Sequence, residues 1–280
     1  MMTTDEFASQ AKQHIVCYSG GHSSALVAIE VARRYGITGL VLLNHNINSR
    51  VEDADIKRFK QEVADYIGVP ITYANMVGWD EKDQFDVSIA AKAFKTPAVP
   101  AVCTNRLKTE PFHKWLASNA SPDSCVIYYG FDLSEQHRIT RRVGEMAKGN
   151  WRTDYPLARW NRTITSTRDV GIEPPLTYGV FKHANCVGCL KAKTQHWYAV
   201  YCTRDDIFRK AIAAEETIGH TILPDQSMKD IEPLFQKMKC AGIEPTEHID
   251  ARTWWAKVKK NIAQPGLDFS ADNKPCECVF

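Results

Sequence analysis

The stretch His14-Ile15-Val16-Cys17-Tyr18-Ser19-Gly20-Gly21-His22-Ser23-Ser24 narrows what this chain can fold into more than any other. Its first five residues are mostly β-branched or aromatic and stop abruptly at Ser-Gly-Gly, which predicts a short buried strand. Beyond Ser24, Leu26 and Ile29, and Val27 and Val31, recur at helical spacing. A Gly-Gly turn between strand and helix lets the backbone fold back sharply and approach a ligand closely. The N–H groups of the helix's first turn then point at whatever sits there and favour an anion. Hydroxyls from Ser19, Ser23 and Ser24 add donors at the same spot. The pattern is neither the Walker loop nor the dinucleotide Gly-x-Gly-x-x-Gly fingerprint. It predicts a phosphate-binding turn with Ser19, Gly20, Gly21, His22, Ser23 and Ser24 as its residues. A serine-capped strand–turn–helix that binds nothing is the plainer alternative.

Further along, Gly39 to Leu43 is an apolar run suited to a strand buried on both faces. It ends at Asn44-His45-Asn46-Ile47-Asn48, a polar cluster at a carboxyl strand end, where open α/β sheets hold their ligands. Asn44 is a candidate binding residue, whereas a lone His45 reads more simply as a hydrogen-bonding loop residue. Ile56, Phe59, Val63 and Tyr66 stripe a helix from Asp53 to Tyr66, and Val69 to Tyr73 is another short strand. Asp86 to Lys95 has helical character. Val126 to Gly130 reads as a further buried strand, ending in a mixed-charge loop that offers Gly130, Asp132 and Arg138 to a ligand. Asp132, Glu135 and Arg138 could equally form a surface ion-pair cluster. Strands alternating with helices predict a parallel sheet with right-handed crossovers. The expected fold class is therefore α/β: a Rossmann-like, mostly parallel sheet flanked by helices, with a helical C-terminal extension. Gln195 to about Gly219, Asp230 to Gly242 and Thr253 to Ile262 supply the later helices. Residues 1–220 would form the main domain, and 221–280 a helical extension with a cysteine-containing tail.

The amino terminus is polar and acidic and no apolar run reaches membrane-spanning length, so the expectation is a soluble, cytoplasmic protein. A formal net charge of +2 leaves no overall footprint for nucleic acid, though a local basic groove is compatible with it. Nine cysteines are many for such a chain, and their odd number points to metal or redox use rather than a disulfide framework. Cys186-Val187-Gly188-Cys189 brings two thiols close enough to share one metal. Cys103 is the best third candidate; it is followed by Arg106 and Lys108, either of which could face a phosphate or simply lie on a solvated helix start.

Several of these blocks occur in one order: Ser19 to Ser24, Cys103 to Pro111, Gly130 to Arg138, Tyr155-Pro156-Leu157 with Trp160, Pro174-Pro175 to Tyr178, and Cys186-x-x-Cys189. Over roughly residues 12 to 220 the chain resembles the phosphoadenosine-phosphosulfate (PAPS) reductase family. That family belongs to the PP-loop adenine-nucleotide α-hydrolase superfamily, with phage-borne and DNA-phosphorothioation relatives. The resemblance implies an adenine nucleotide, either ATP with Mg²⁺ or PAPS or adenylyl sulfate (APS), cleaved or transferred at its α-phosphate. In that setting Ser19 to Ser24, Asn44, Lys108, Gly130, Asp132 and Arg138 would bind the nucleotide. Many such loops carry Asp where this chain has Ser23.

Three functions follow from the resemblance. In the first, ATP adenylylates an acceptor, a nucleic acid or a small molecule, and sulfur held at Cys103, Cys186 and Cys189 displaces AMP. Those three cysteines would hold an iron–sulfur (4Fe-4S) cluster, or alternatively zinc, and a sulfur-donor protein would supply them. In the second, Cys278 (or Cys276) attacks a sulfonucleotide, as in PAPS and APS reductases, and a thioredoxin-like protein resolves the product. The tail reads Cys276-Glu277-Cys278-Val279, so the family's Glu-Cys step is present without its glycine. Arg106, Lys108, Arg138, Arg141 and Arg142 would then neutralise the anionic groups. In the third, the chain is a non-catalytic nucleotide-binding subunit of a modification complex. An oligomer is compatible with all three.

Overall fold

The computed structural model describes residues 3–96, 101–184, 186–224 and 226–262. Helix α1 (Thr4–Ala8) leads into β1 (Gln13–Cys17), α2 (His22–Tyr35), β2 (Leu40–Asn44), α3 (Ala54–Ile67) and β3 (Ile71–Tyr73). Helices α4 (Gln84–Ala91), α5 (Val102–Thr104) and α6 (Glu110–Asn119) follow, then β4 (Cys125–Tyr128), α7 (Gln136–Ala147), β5 (Arg152–Asp154) and α8 (Pro156–Arg159). The chain closes with α9 (Thr194–Thr203), α10 (Asp205–Ile218), α11 (Met228–Cys240) and α12 (Ala251–Asn261).

All five strands are parallel, in the order β3-β2-β1-β4-β5. The α/β, Rossmann-like expectation therefore holds. Alternation along β1 divides the core: Val16 and Tyr18 face α2 and α3 with Leu26, Phe59 and Val63, while Ile15 and Cys17 face Phe112 and Leu116 of α6 and Ile139 of α7. A third layer packs α4 and α5 with α9 to α12, and helices on both sides of residue 220 share its cluster of Trp197, Phe208, Phe235 and Trp254.

Two elements differ from the expectations of the sequence. The helical pattern from Gln195 to Gly219 breaks at Arg204, whose backbone leaves the helical region at φ −142° and ψ 68°. Asp205 and Asp206 then begin a new helix, where carboxylates at an amino end are favourable. Strand β5 leaves no apolar run to detect, because it is a three-residue edge strand whose first residue, Arg152, is exposed.

Because β2 and β3 lie on one side of β1 and β4 and β5 on the other, the strand order reverses between β1 and β4. Loops leaving the carboxyl ends of those strands flank the crevice where such sheets bind ligands. Gly130, just beyond β4, sits directly on the start of α2: a Cβ there would lie 3.1 Å from Ser23 C and Ser24 N. A side chain there would press on the α2 backbone, which would have to give for the β4 loop to lie this close to the Ser-Gly-Gly turn.

Candidate functional site

The turn after β1 has the shape its sequence implies. Gly20 takes a positive φ of 82°, and Gly21 occupies the N-cap of α2 with no side-chain cap. Ser24 Oγ donates back to the Gly21 carbonyl at 2.8 Å and lies 3.1 Å from Ser19 Oγ, so both hydroxyls brace the turn. Ser23 is exposed at the helix start. His22 works locally: its Nε2 accepts from Thr167 N–H at 3.2 Å, and its own backbone N–H donates to Tyr178 Oη at 2.9 Å. A Cβ on Gly21 would lie 3.2 Å from that hydroxyl and 3.3 Å from Ala184 Cβ. A strap carrying Tyr178 and Ala184 thus covers the amino end of α2.

Ser19, Asn44, His45, Ile47, Glu52, Lys108, Ala184 and Cys186 line a small cavity of about 10 Å³ beneath the strap, room for about one water. Four of the sequence-predicted residues therefore meet: Ser19, Asn44, Lys108 and Cys186. Lys108 reaches it through a distortion. Val102 to Asn119 is helical throughout, but Asn105–Thr109 is a π segment with Glu110 N–H bonded to Asn105 O. Pro111 has no N–H to give, and its ring would crowd the carbonyl four residues back; the wider π turn relieves this. Such segments mark functional sites more often than chance. Arg106 instead turns to Glu110 at 2.8 Å on an exposed surface.

Beneath the cavity lies a buried ion pair that the sequence alone does not announce. Lys60, 1% exposed, donates to both oxygens of Glu52 at 3.1 and 3.0 Å and to Asn44 Oδ1 at 3.3 Å. Burial pulls the Lys60 ammonium below the ordinary lysine range while Glu52 pulls it back up. Asn44 Nδ2 donates to Tyr18 O, Tyr18 Oη donates to Lys60 O at 2.9 Å, and the Lys60 stem passes under Gly20. The floor of the turn is thus one connected polar network.

His45 is held neutral. It is 3% exposed, and its Nδ1 lies 3.0 Å from the Ala74 carbonyl, which fixes Nδ1–H as the donor. Burial pushes its pKa down to about 4, and the Lys108 charge acts in the same direction. Because the unfolded value is about 6.5, the folded state gains stability from neutral His45 above that pH and loses it as pH falls towards 4. We expect this residue to contribute about 3 kcal/mol of acid destabilisation. Urea unfolding of the wild-type chain and His45→Gln between pH 7 and 4 checks it; equal pH slopes would contradict the assignment.

The three cysteines are placed unequally. Cys103 and Cys186 are close enough for a charge on Cys103 to raise Cys186. Burial pushes the Cys186 thiol up to about 11 and raises Cys103, while Lys108 opposes both. The Cys-x-x-Cys loop is held from behind: Gln84 Nε2 donates to Val187 O and Gly188 O, and Cys189 N–H donates to His196 Nε2, whose Nδ1 lies 2.7 Å from Glu247. Among the described residues, no three His, Cys, Asp or Glu side chains draw together to hold a metal ion. As placed, Cys103, Cys186 and Cys189 do not form one such group. Cys276 and Cys278 lie outside the described residues.

On the β4 side, Asp132 caps the short turn Leu133–Glu135, and Arg138 pairs with Glu135 while stacking on Phe131. Arg142 is buried against Tyr129 and pairs with Glu145 at 3.1 Å, and Arg141 lies 4.0 Å from the same carboxylate. Gly130 of that loop lies against the α2 turn. Among the described residues, no helix is long and apolar enough to cross a membrane. Compared with protein-family models, curated proteins and solved structures, the chain matches none.

Proposed function

We propose that this chain binds an adenine nucleotide at the Ser19–Ser24 turn and acts at its α-phosphate side in sulfur chemistry. The observation that supports this best is one cavity, at the carboxyl ends of β1 and β2, lined together by Ser19, Lys108 and Cys186. Binding requires the strap to draw back from Gly21, exchanging the Tyr178 hydroxyl on His22 N–H for a phosphate oxygen. The substrate would be the magnesium complex of ATP, its cation held mainly by phosphate oxygens and water. An acceptor oxygen attacks the α-phosphorus and pyrophosphate leaves; Lys108 and the α2 amides stabilise the charge that develops. A hydrosulfide ion, delivered beside Cys186 by a donor protein, then attacks the adenylylated carbon of the acceptor; the C–S bond forms as the C–O bond breaks, and AMP leaves with that oxygen. No step is assigned to a metal cluster.

Calorimetry with Mg-ATP, APS and PAPS on one preparation tests this reading. ATP is expected to bind, and Lys108→Met to weaken it roughly tenfold or more, the cost of a lost charge-assisted bond. Binding of a sulfonucleotide with no binding of ATP would make reductive chemistry, and the tail cysteines, the better reading. An unchanged affinity in Lys108→Met would remove that residue from the site.

A further inference from the structure

Glu52 is the acidic side chain among the residues lining the cavity, and it is 5% exposed. A carboxylate this deep beside a phosphate-binding turn calls for a function, because like charges there repel. Its position suggests one. It follows the carboxyl end of β2, next to the strand whose loop would hold the phosphates. In dinucleotide folds with this strand order an acid at the strand end accepts hydrogen bonds from the ribose; here Asn44 holds the strand end, and Glu52, eight residues on, brings a carboxylate to the same cavity. The Glu52 carboxylate is fixed in place from behind. Lys60 bonds each oxygen, and Lys57 Nζ lies 3.5 Å from Oε2 while donating to Asn46 Oδ1 and Ile47 O. A carboxylate has about four acceptor positions, so acceptor capacity remains on a side chain that lines the cavity.

We propose that Glu52 accepts hydrogen bonds from the ribose hydroxyls of the bound nucleotide, with Lys60 as its positioning residue. The site then takes nucleotides whose two ribose hydroxyls are both free, such as ATP or APS, in preference to a 3′-phosphorylated nucleotide, whose extra charge would face the carboxylate. This rests on the nucleotide reading above and names its substrate class.

The test is calorimetry with Mg-ATP, 2′-deoxy-ATP and 3′-deoxy-ATP on the full chain, on Glu52→Gln and on the double variant Glu52→Gln/Lys60→Met. The double variant leaves no unpaired buried ammonium and so keeps the test readable if the single one unfolds. The wild-type chain should bind each deoxy analogue roughly tenfold more weakly than ATP, as expected for a lost hydrogen bond to a charged group. In both variants that gap should close to under about threefold. Lys60→Met should narrow it as well, whereas damage that is merely structural lowers all three affinities together. A gap that persists in the variants, or is absent from the wild-type chain while ATP binds, overturns the proposal. Failure of all three nucleotides to bind the wild-type chain overturns the nucleotide reading itself.

Discussion

Replacing Lys60 by Met is expected to cost about 3–5 kcal/mol of folding stability, since it removes the ammonium bonded to both oxygens of the buried Glu52 carboxylate and leaves it the more distant Lys57, 3.5 Å from Oε2. The substitution keeps most of the side-chain volume, so the packing of the stem beneath Gly20 and Ile56 changes little. The loss should therefore be electrostatic. Lys60→Met/Glu52→Gln should recover at least half of it, because two desolvated charges disappear together. Urea unfolding of the wild-type chain, both single variants and the double variant gives the full cycle. Additive losses would mean that the two residues do not interact, contradicting the network drawn under the turn.

Gly188→Ala should be nearly as damaging for a different reason. Gly188 has φ +72°, where an L side chain costs about 1–2 kcal/mol. A Cβ there would also sit 2.6 Å from Ile207 Cγ2, 3.2 Å from Trp197 and 3.4 Å from Phe85. Overpacking of this kind adds about 1–3 kcal/mol. The glycine is therefore needed twice: for the turn between Cys186 and Cys189, and for the approach of that turn to α10. We expect a total of about 2–5 kcal/mol by denaturant unfolding, together with faster reaction of Cys186 with a thiol reagent as the loop lifts. A variant with wild-type stability and thiol reactivity would show that the loop does not pack in this way.

Much of the scaffold is legible in the sequence because its strands are buried on both faces and so read as apolar runs. Ile15-Val16-Cys17 and Val126-Ile127-Tyr128 have no exposed member. The edge strand β5 carries no such pattern. The start of α2 is legible from two glycines and three serines, but not that Tyr178 covers it from 156 residues away. Lys60 does leave a signal: it falls four residues after Ile56 on the helix stripe that includes Phe59 and Val63, where a solvated lysine does not belong. The meeting of Lys108 with Cys186 is not legible at all. It depends on the π turn before Pro111 and on how α4 and the Cys-x-x-Cys loop pack, both set by the whole fold.

The nucleotide site itself is tested most directly by amide hydrogen exchange over residues 20–24, with and without Mg-ATP. Those amides begin α2, where helical hydrogen bonds are missing, and Gly20 and Gly21 form the turn that a phosphate would occupy. Slower exchange at these residues in the presence of nucleotide is the expected result. Saturating ATP that leaves exchange there unchanged, or that protects a different face of the protein, would contradict a phosphate site at this turn.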